Sequence, residues 1–227
     1  MASAFVFRVR TKHDLIGAVE EFGFVPFFRN PILGFSIAEH CAPEAWFSDE
    51  QEGVWEWKGP VIRETGCAYG KFFGGKAVFI SREWFPDFAN YRRDGYDMDA
   101  LWSDGMARYA DKSLYDLTAA HAPVLSRNLR DLGGYGREGR KGFDQSITRL
   151  QHQCYVLISD FVYDLDRKGN PYGWGVAEYS TPERFFGEAF TQTVYRRTPE
   201  ESFARVLAHL KTILPNASET ALRRLLK

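Results

Sequence analysis

Between Arg127 and Arg149 the chain carries six cations, Arg127, Arg130, Arg137, Arg140, Lys141 and Arg149, against three anions, Asp131, Glu138 and Asp144. Guanidinium and ammonium groups gathered in one short segment are what contact with phosphate oxygens requires, since each contact releases counterions condensed on the polyanion. Gln145, Ser146, Thr148, Arg149 and His152 are hydrogen-bonding types of the kind that meet base edges from a helix in the major groove. A second basic pair, Arg167 and Lys168, stands in the turn Asp166-Arg167-Lys168-Gly169-Asn170. The chemistry these residues suit is recognition of a polyanion. The competing interpretation is an ordinary solvated face used for protein contact.

Other constellations carry less. Gly134-Tyr135-Gly136-Arg137-Glu138-Gly139 has the spacing of a dinucleotide fingerprint. That fingerprint needs a preceding strand, however, and Val124 to Leu132 has helical spacing. The five glycines from Gly133 to Gly142 read instead as a connection between helices. Asp94, Asp97 and Asp99 lack the alternation and the distal Glu of a calcium loop, and they suit a helix N-terminus. His13, His40, His121, His152 and His209 form no pair at metal-binding helical spacing. Cys41, Cys67 and Cys154 are an odd set without metal-ligand spacing. His40-Cys41 are neighbours, but a nucleophile and its base must meet in space, which adjacency does not establish. No metal and no cofactor is expected.

The elements that must hold the basic residues follow from periodicity and punctuation. Thr11 with Asp14 three positions on is a capping-box start, Leu15, Ile16, Val19 and Phe22 share a face, and Gly23 ends the helix. Phe24 to Phe35 reads as irregular and buried, Ser36 to Phe47 as one or two helical turns, Ser48 to Gly53 as an acidic loop and Val54 to Glu64 as a helix. Cys67–Phe73 and Lys76–Ser81 form a hairpin through Gly74-Gly75, because both turn positions favour positive φ. Arg82 to Tyr91 and Asp97 to Tyr109 are predicted helical, the latter with Leu101, Trp102 and Met106 inward.

A helix from Lys112 to Ala120 comes next. Another has Pro123 at its first position and Val124, Leu125, Leu129 and Leu132 on its inner face. Phe143, Ile147, Leu150 and Cys154 recur at helical spacing and predict a third helix, Phe143 to Gln153, with Phe143 at the edge of the core. Strands Tyr155–Tyr163 and Tyr172–Tyr179 close the segment as a hairpin with a basic tip. Three short helices followed by such a hairpin is the winged-helix order, in which the third helix faces the major groove and the hairpin lies on the backbone. Helix, helix, helix, hairpin also describes the first 81 residues. Thr181-Pro182-Glu183, Thr198-Pro199-Glu200 and Ser218 start the C-terminal helices.

The chain as a whole limits the function classes. Its 227 residues, 44% hydrophobic and 26% charged, are those of an ordinary globular protein, and 16% aromatic content provides a large core. A net charge of −1 excludes a wholly basic binder, so any polyanion contact must be a local patch. No apolar run approaches the roughly 18 residues of a membrane span, and Met1 to Val9 is too short for a secretory signal. The cytoplasm is the expected compartment.

Trp55-Glu56-Trp57 with Gly59-Pro60, Tyr69-Gly70-Lys71-Phe72-Phe73, Glu83-Trp84-Phe85-Pro86 and Tyr91-Arg92-Arg93-Asp94-Gly95-Tyr96 are distinctive. So are Leu150-Gln151-His152-Gln153, Tyr172-Gly173-Trp174 and Tyr179-Ser180-Thr181-Pro182-Glu183. On these residues the chain resembles, over nearly its whole length, bacterial proteins related to the AlkZ-type winged-helix DNA glycosylases. The resemblance implies a shortened relative, since the glycosylases have three winged helices. They also carry a Gln-x-Gln pair just after the first helix, which positions water at the glycosidic bond. The corresponding place here is Phe24-Val25-Pro26-Phe27-Phe28, without an amide or a carboxylate. Gln151 and Gln153 form such a pair, but in the third helix of the second half, and residues two apart point to different sides of a helix.

The expectation is therefore an α+β, mostly helical chain with tandem winged-helix-like modules at 1–95 and 96–182 and a C-terminal helical segment at 183–227. Its expected function is binding of duplex DNA without catalysis, through Arg127, Arg130, Arg137, Arg140, Lys141, Gln145, Thr148, Arg149, Arg167 and Lys168. Two alternatives stand beside it. One is an active glycosylase on alkylated or damaged bases, and the other a protein-interaction module, for instance a homodimer built through the C-terminal helices.

Overall fold

The computed structural model describes residues 4–46, 52–136 and 138–227. Arg137, and Asp49 and Glu50 of the acidic segment, lie outside them. Of the described residues 51% are helical and 17% are in strands, so the chain is α+β with helix predominant.

In the first half, α1 (Lys12–Phe22) starts at Thr11 with the Thr11–Asp14 capping box and stops at Gly23, whose φ of 73° is left-handed. β1 (Phe24–Pro26) follows, then the single turns α2 (Ile37–His40) and α3 (Pro43–Trp46) and the longer α4 (Val54–Thr65). β2 (Ala68–Phe73) and β3 (Lys76–Ile80) form the hairpin, with Gly74 and Gly75 at φ 54° and 77°. α5 (Phe85–Arg93) and α6 (Met98–Ser103) lead into the second half.

There α7 (Tyr109–His121), β4 (Val124–Leu125), α8 (Ser126–Leu132) and α9 (Phe143–His152) precede the hairpin β5 (Leu157–Leu165) and β6 (Pro171–Ser180). The C-terminal helices are α10 (Pro182–Phe186), α11 (Glu188–Thr191), a 3₁₀ turn (Gln192–Arg196), α12 (Pro199–Ile213) and α13 (Glu219–Leu225).

The two halves repeat one connectivity. In each, a short strand follows the first helix and pairs antiparallel with the returning hairpin strand: β1 with β3 at Phe24↔Ile80, and β4 with β6 at Val124↔Tyr179. The outgoing strands β2 and β5 then meet at Tyr69↔Ile158, giving one sheet of order β1-β3-β2-β5-β6-β4. Read inward from either edge, the order is short strand, returning strand, outgoing strand.

The third helices cross the join. α4 packs on β5, where a Cβ on Gly59 would stand 2.5 Å from Asp160 Oδ1. Glycine there leaves room for the Asp160 carboxylate where the helix meets the strand. α9 packs on β2, where a register shift between Gly70 and Phe73 leaves the Lys71 N–H to donate to Gln151 Oε1 at 3.1 Å. One hydrophobic cluster accordingly runs across the boundary at residue 95, from Phe5 to Leu226. The C-terminal helices complete it: Val206, Leu207 and Leu210 of α12 are buried, and α12 lies against α5. Buried Asp87 of α5 accepts from Ser202 Oγ at 3.1 Å and Arg205 Nε at 2.9 Å.

Several sequence expectations need correction. Phe24–Pro26 and Val124–Leu125 are strands, so Pro123 precedes a strand and α8 begins at Ser126. Trp102, Met106 and Leu132 are exposed, whereas Phe143 is buried rather than at the core's edge. Short edge strands and short helices leave too few positions for periodicity to identify an inward face.

Candidate nucleic-acid interface

Tertiary pairing neutralises three of the cations read from the sequence. Arg127 forks onto Asp164 at 3.0 and 2.9 Å, and that bond holds the Asp164 carboxyl below its ordinary range. Arg130 donates to Asp144 at 2.6 Å and lies 4.2 Å over the Phe143 ring. Arg149 forks onto buried Asp111 at 2.8 and 2.7 Å and also reaches Ser146 Oγ at 3.0 Å. Arg140 stands 5.3 Å over the Tyr135 ring and, with Lys141 and Gln145, lines a surface recess of about 380 Å³. Gly139 packs so tightly on the Gly134 carbonyl that a Cβ would come within 2.1 Å of the oxygen, so this glycine-rich connection is a closed turn.

The outer face of α9 is largely taken up. Ser146, Ile147, Leu150 and Gln151 are buried, and Thr148, Arg149 and His152 are half-buried. Thr148 accepts from Lys71 Nζ at 3.5 Å and stands beside Gly75 at the tip of the first hairpin. Of the hydrogen-bonding side chains on α9, Asp144 and Gln145 are the fully exposed ones. A helix so covered is poorly placed to lie in a groove.

The second hairpin is different. β5 and β6 have 9 and 10 residues, against 6 and 5 in β2 and β3, so it overshoots the sheet. Its tip carries Arg167 and Lys168, both exposed and neither in an ion pair with a described residue. Asp166 holds the turn by accepting from the backbone N–H of Lys168 at 2.7 Å and of Asn170 at 2.9 Å. The overshoot also exposes Leu165, Tyr172 (57%) and Trp174 (71%). Tyr172 and Trp174 sit two apart on β6, on either side of Gly173, whose φ of 72° falls in a register shift against β5. The sequence displayed that signal, aromatics at i and i+2 beside a basic turn, but they were not among the predicted contacts. Exposed aromatic rings next to unpaired cations suit stacking on bases alongside phosphate contact.

A family model described as AlkZ related matches residues 9–227, that is, both halves, the hairpin and the C-terminal helices. The chain belongs to that family. No curated protein and no solved structure matches it.

In this AlkZ-related chain the segment after the first helix is core. Phe24, Val25 and Phe27 are fully buried, and β1 pairs with β3. Gln151 is also fully buried, its amide shared between Lys71 N–H as donor and the Ile147 carbonyl as acceptor, the latter at 3.1 Å. Glu56 accepts from Gly53 N at the start of α4. Asp97 caps α6, and Asp99 pairs with Lys112 at 3.3 Å, so the acidic cluster is helix punctuation. Among the described residues no three His, Cys, Asp or Glu side chains are grouped to hold a metal ion. Among them, too, no helix is long and apolar enough to cross a membrane.

Two basic groups, half-buried His152 and buried Lys58, have surroundings that the sequence did not indicate. His152 accepts from Arg92 at 2.9 Å, and burial together with that guanidinium pushes its pKa down to about 4. Lys58 of α4 lies among rings, 4.2 Å from the centroid of Phe161, 4.7 Å from Trp55 and 5.7 Å from Phe27. Within the sequence, Lys58 is merely a polar residue between Trp57 and Gly59. Only the packing of α4 on β5 makes it buried.

Proposed function

We propose that this AlkZ-related chain binds duplex DNA chiefly through the β5–β6 hairpin, helped by the loop cations Arg140 and Lys141, and does not release bases by a Gln-x-Gln route. The observation that carries this proposal is the overshooting hairpin, with exposed, unpaired Arg167 and Lys168 beside exposed Tyr172 and Trp174. A tandem winged-helix organisation at 1–95 and 96–182 is part of the same proposal. Its support is the repeated order of helix, short strand, helices and hairpin, with the short strand paired to the returning one in both halves. In a winged helix the hairpin tip lies on the phosphate backbone. Here the emphasis moves from α9 to the hairpin, because Arg149 and Thr148 are engaged within the protein while the tip is free.

The test is duplex affinity as a function of salt. Replacing Arg167 and Lys168 by Ala should weaken binding and reduce the slope of log affinity against log salt by up to about 0.9 per lost phosphate contact. Trp174→Ala should weaken binding without altering the slope, since a ring releases no counterions. An unchanged slope in the double variant, or no binding by the parent at low salt, refutes the proposal. Kinship with glycosylases favours a second possibility, an active enzyme. Base release from alkylated duplex under single-turnover conditions would establish it and overturn the non-catalytic half of the proposal.

A further inference from the structure

Trp55, Lys58, Gly59 and Arg63 lie on the face of α4 that meets the second hairpin. Trp55 touches Trp174 at 5.8 Å between centroids, Lys58 faces Phe161, and Arg63 pairs with Asp160. A lysine at the margin of such a face ordinarily snorkels, burying its stem and leaving the ammonium in water. Lys58 does not. Only 9% of the residue is exposed, and the ammonium nitrogen itself stands over three rings.

No described residue accepts a hydrogen bond from it or pairs with it. Asp160, the acid at this interface, is committed to Arg63 and to the Phe161 N–H. The other titratable groups around it are Glu56 on its own helix, which caps Gly53, Tyr163 on β5 and Tyr69 on β2. The rings favour the cation, and burial favours the free amine. Burial is the larger effect and brings the pKa down to about 8, with Glu56 opposing it. A partly desolvated amine outside any ion pair is a state in which lysine acts as a nucleophile toward carbonyl groups.

We propose that Lys58 is a nucleophilic amine that captures an aldehyde borne on nucleic acid, the ring-opened sugar of an abasic site, as an imine. The substrate class rests on the DNA-binding proposal above, since the exposed ring of Trp174 covers Trp55 and the basic tip lies on the same hairpin. An abasic site supplies the electrophile because loss of a base lets the sugar open to its C1′ aldehyde. The lone pair of the neutral amine forms a C–N bond to that carbon. A proton passes from nitrogen to oxygen to give the carbinolamine, and the C–O bond then breaks with departure of water. The C=N bond remains, and no oxidant or reductant is consumed. An abasic site is the product of base release, so the chain would act after a reaction of that class.

The test has two arms on the full-length protein. In the first, glycolaldehyde and cyanoborohydride are applied to the protein alone, and modified lysines are mapped by peptide mass. Lys58 should be modified fastest, with a rate that rises to half its maximum near pH 8, well below the range of exposed lysines. In the second, a duplex with one abasic site is trapped by cyanoborohydride. Wild type should form one covalent complex per chain, and Lys58→Arg, which keeps the cation and most of the packing, should lower the yield at least tenfold. Lys58→Met is the companion variant, with circular dichroism to verify its fold.

Binding of intact duplex is measured alongside. If intact duplex binds but glycolaldehyde spares Lys58, or Lys58→Arg traps as well as wild type, the nucleophile is refuted and the DNA-binding proposal stands. If glycolaldehyde modifies Lys58 but the abasic duplex is not trapped, the nucleic-acid substrate is overturned. If no duplex binds at all, both the DNA-binding proposal and that substrate fall, and the first arm alone decides the amine's reactivity.

Discussion

Gln151→Ala should unfold the protein more easily rather than remove a reaction step. Gln151 is fully buried, and its side-chain oxygen is the acceptor for Lys71 N–H at the β2 irregularity while its NH₂ donates to Ile147 O. Alanine leaves the Lys71 N–H facing an apolar void. An orphaned buried polar group costs about 1–3 kcal/mol, and the lost volume adds a cavity cost that partial collapse reduces. Together the loss should be roughly 3 kcal/mol, within the range in which buried polar networks dominate single-site effects.

The assay is urea denaturation followed by tryptophan fluorescence, with the denaturant slope required to stay constant so that the midpoint reports stability. Gln151→Glu is the informative companion. A carboxylate can still accept from Lys71, but it cannot donate to Ile147 and must be buried, so its cost should grow as pH rises and the acid ionises. A change below about 0.5 kcal/mol, within the usual scatter of neutral surface substitutions, would refute this account of the joint between the halves. Loss of base release at unchanged stability would go further and make Gln151 a functional amide.

The remaining predictions concern the charged groups. Arg149→Ala should cost about 2–4 kcal/mol, because it strands Asp111, whose side chain is 8% exposed, whereas Arg127→Ala breaks an exposed pair and should cost far less. Equal costs in thermal or urea unfolding would show that Arg149 is not structural. His152 has a folded pKa lowered to about 4, so the unfolded chain binds the proton more readily between that value and the ordinary 6.5. Stability should therefore be full above pH 6.5 and fall as pH drops through this window, by up to about 3 kcal/mol at 1.36 kcal/mol per pKa unit. Unfolding midpoints across pH 4–7 should show this slope in wild type and lose it in His152→Asn, and an identical slope in the variant would exclude His152 as its source.

Some of this molecule was determined within a few residues of chain. The Thr11–Asp14 box and Gly23 limit α1, Gly74-Gly75 turn the first hairpin, and Phe143, Ile147 and Leu150 build the inner face of α9. The turn at Asp166–Asn170 formed where its residues indicated. Such features depend on side chains one helical turn or one hairpin apart, so composition and spacing are sufficient to reveal them. The β5–β6 hairpin was legible as an apolar run, a basic turn and a returning strand, but its overshoot, which exposes Tyr172 and Trp174, was not.

What the tertiary structure decided involves partners far apart in sequence. Strands of two and three residues, β4 and β1, have no period of their own and exist because β6 and β3 offer them ladder positions. The basic segment looked like one surface until Arg127 met Asp164 and Arg149 met Asp111, 37 and 38 residues away. A charge count along the chain records how many cations are present, but not which anions the fold brings to them. Lys58 belongs to the same class: α4 docks on β5 about a hundred residues later, and only that contact turns an ordinary lysine into a buried amine.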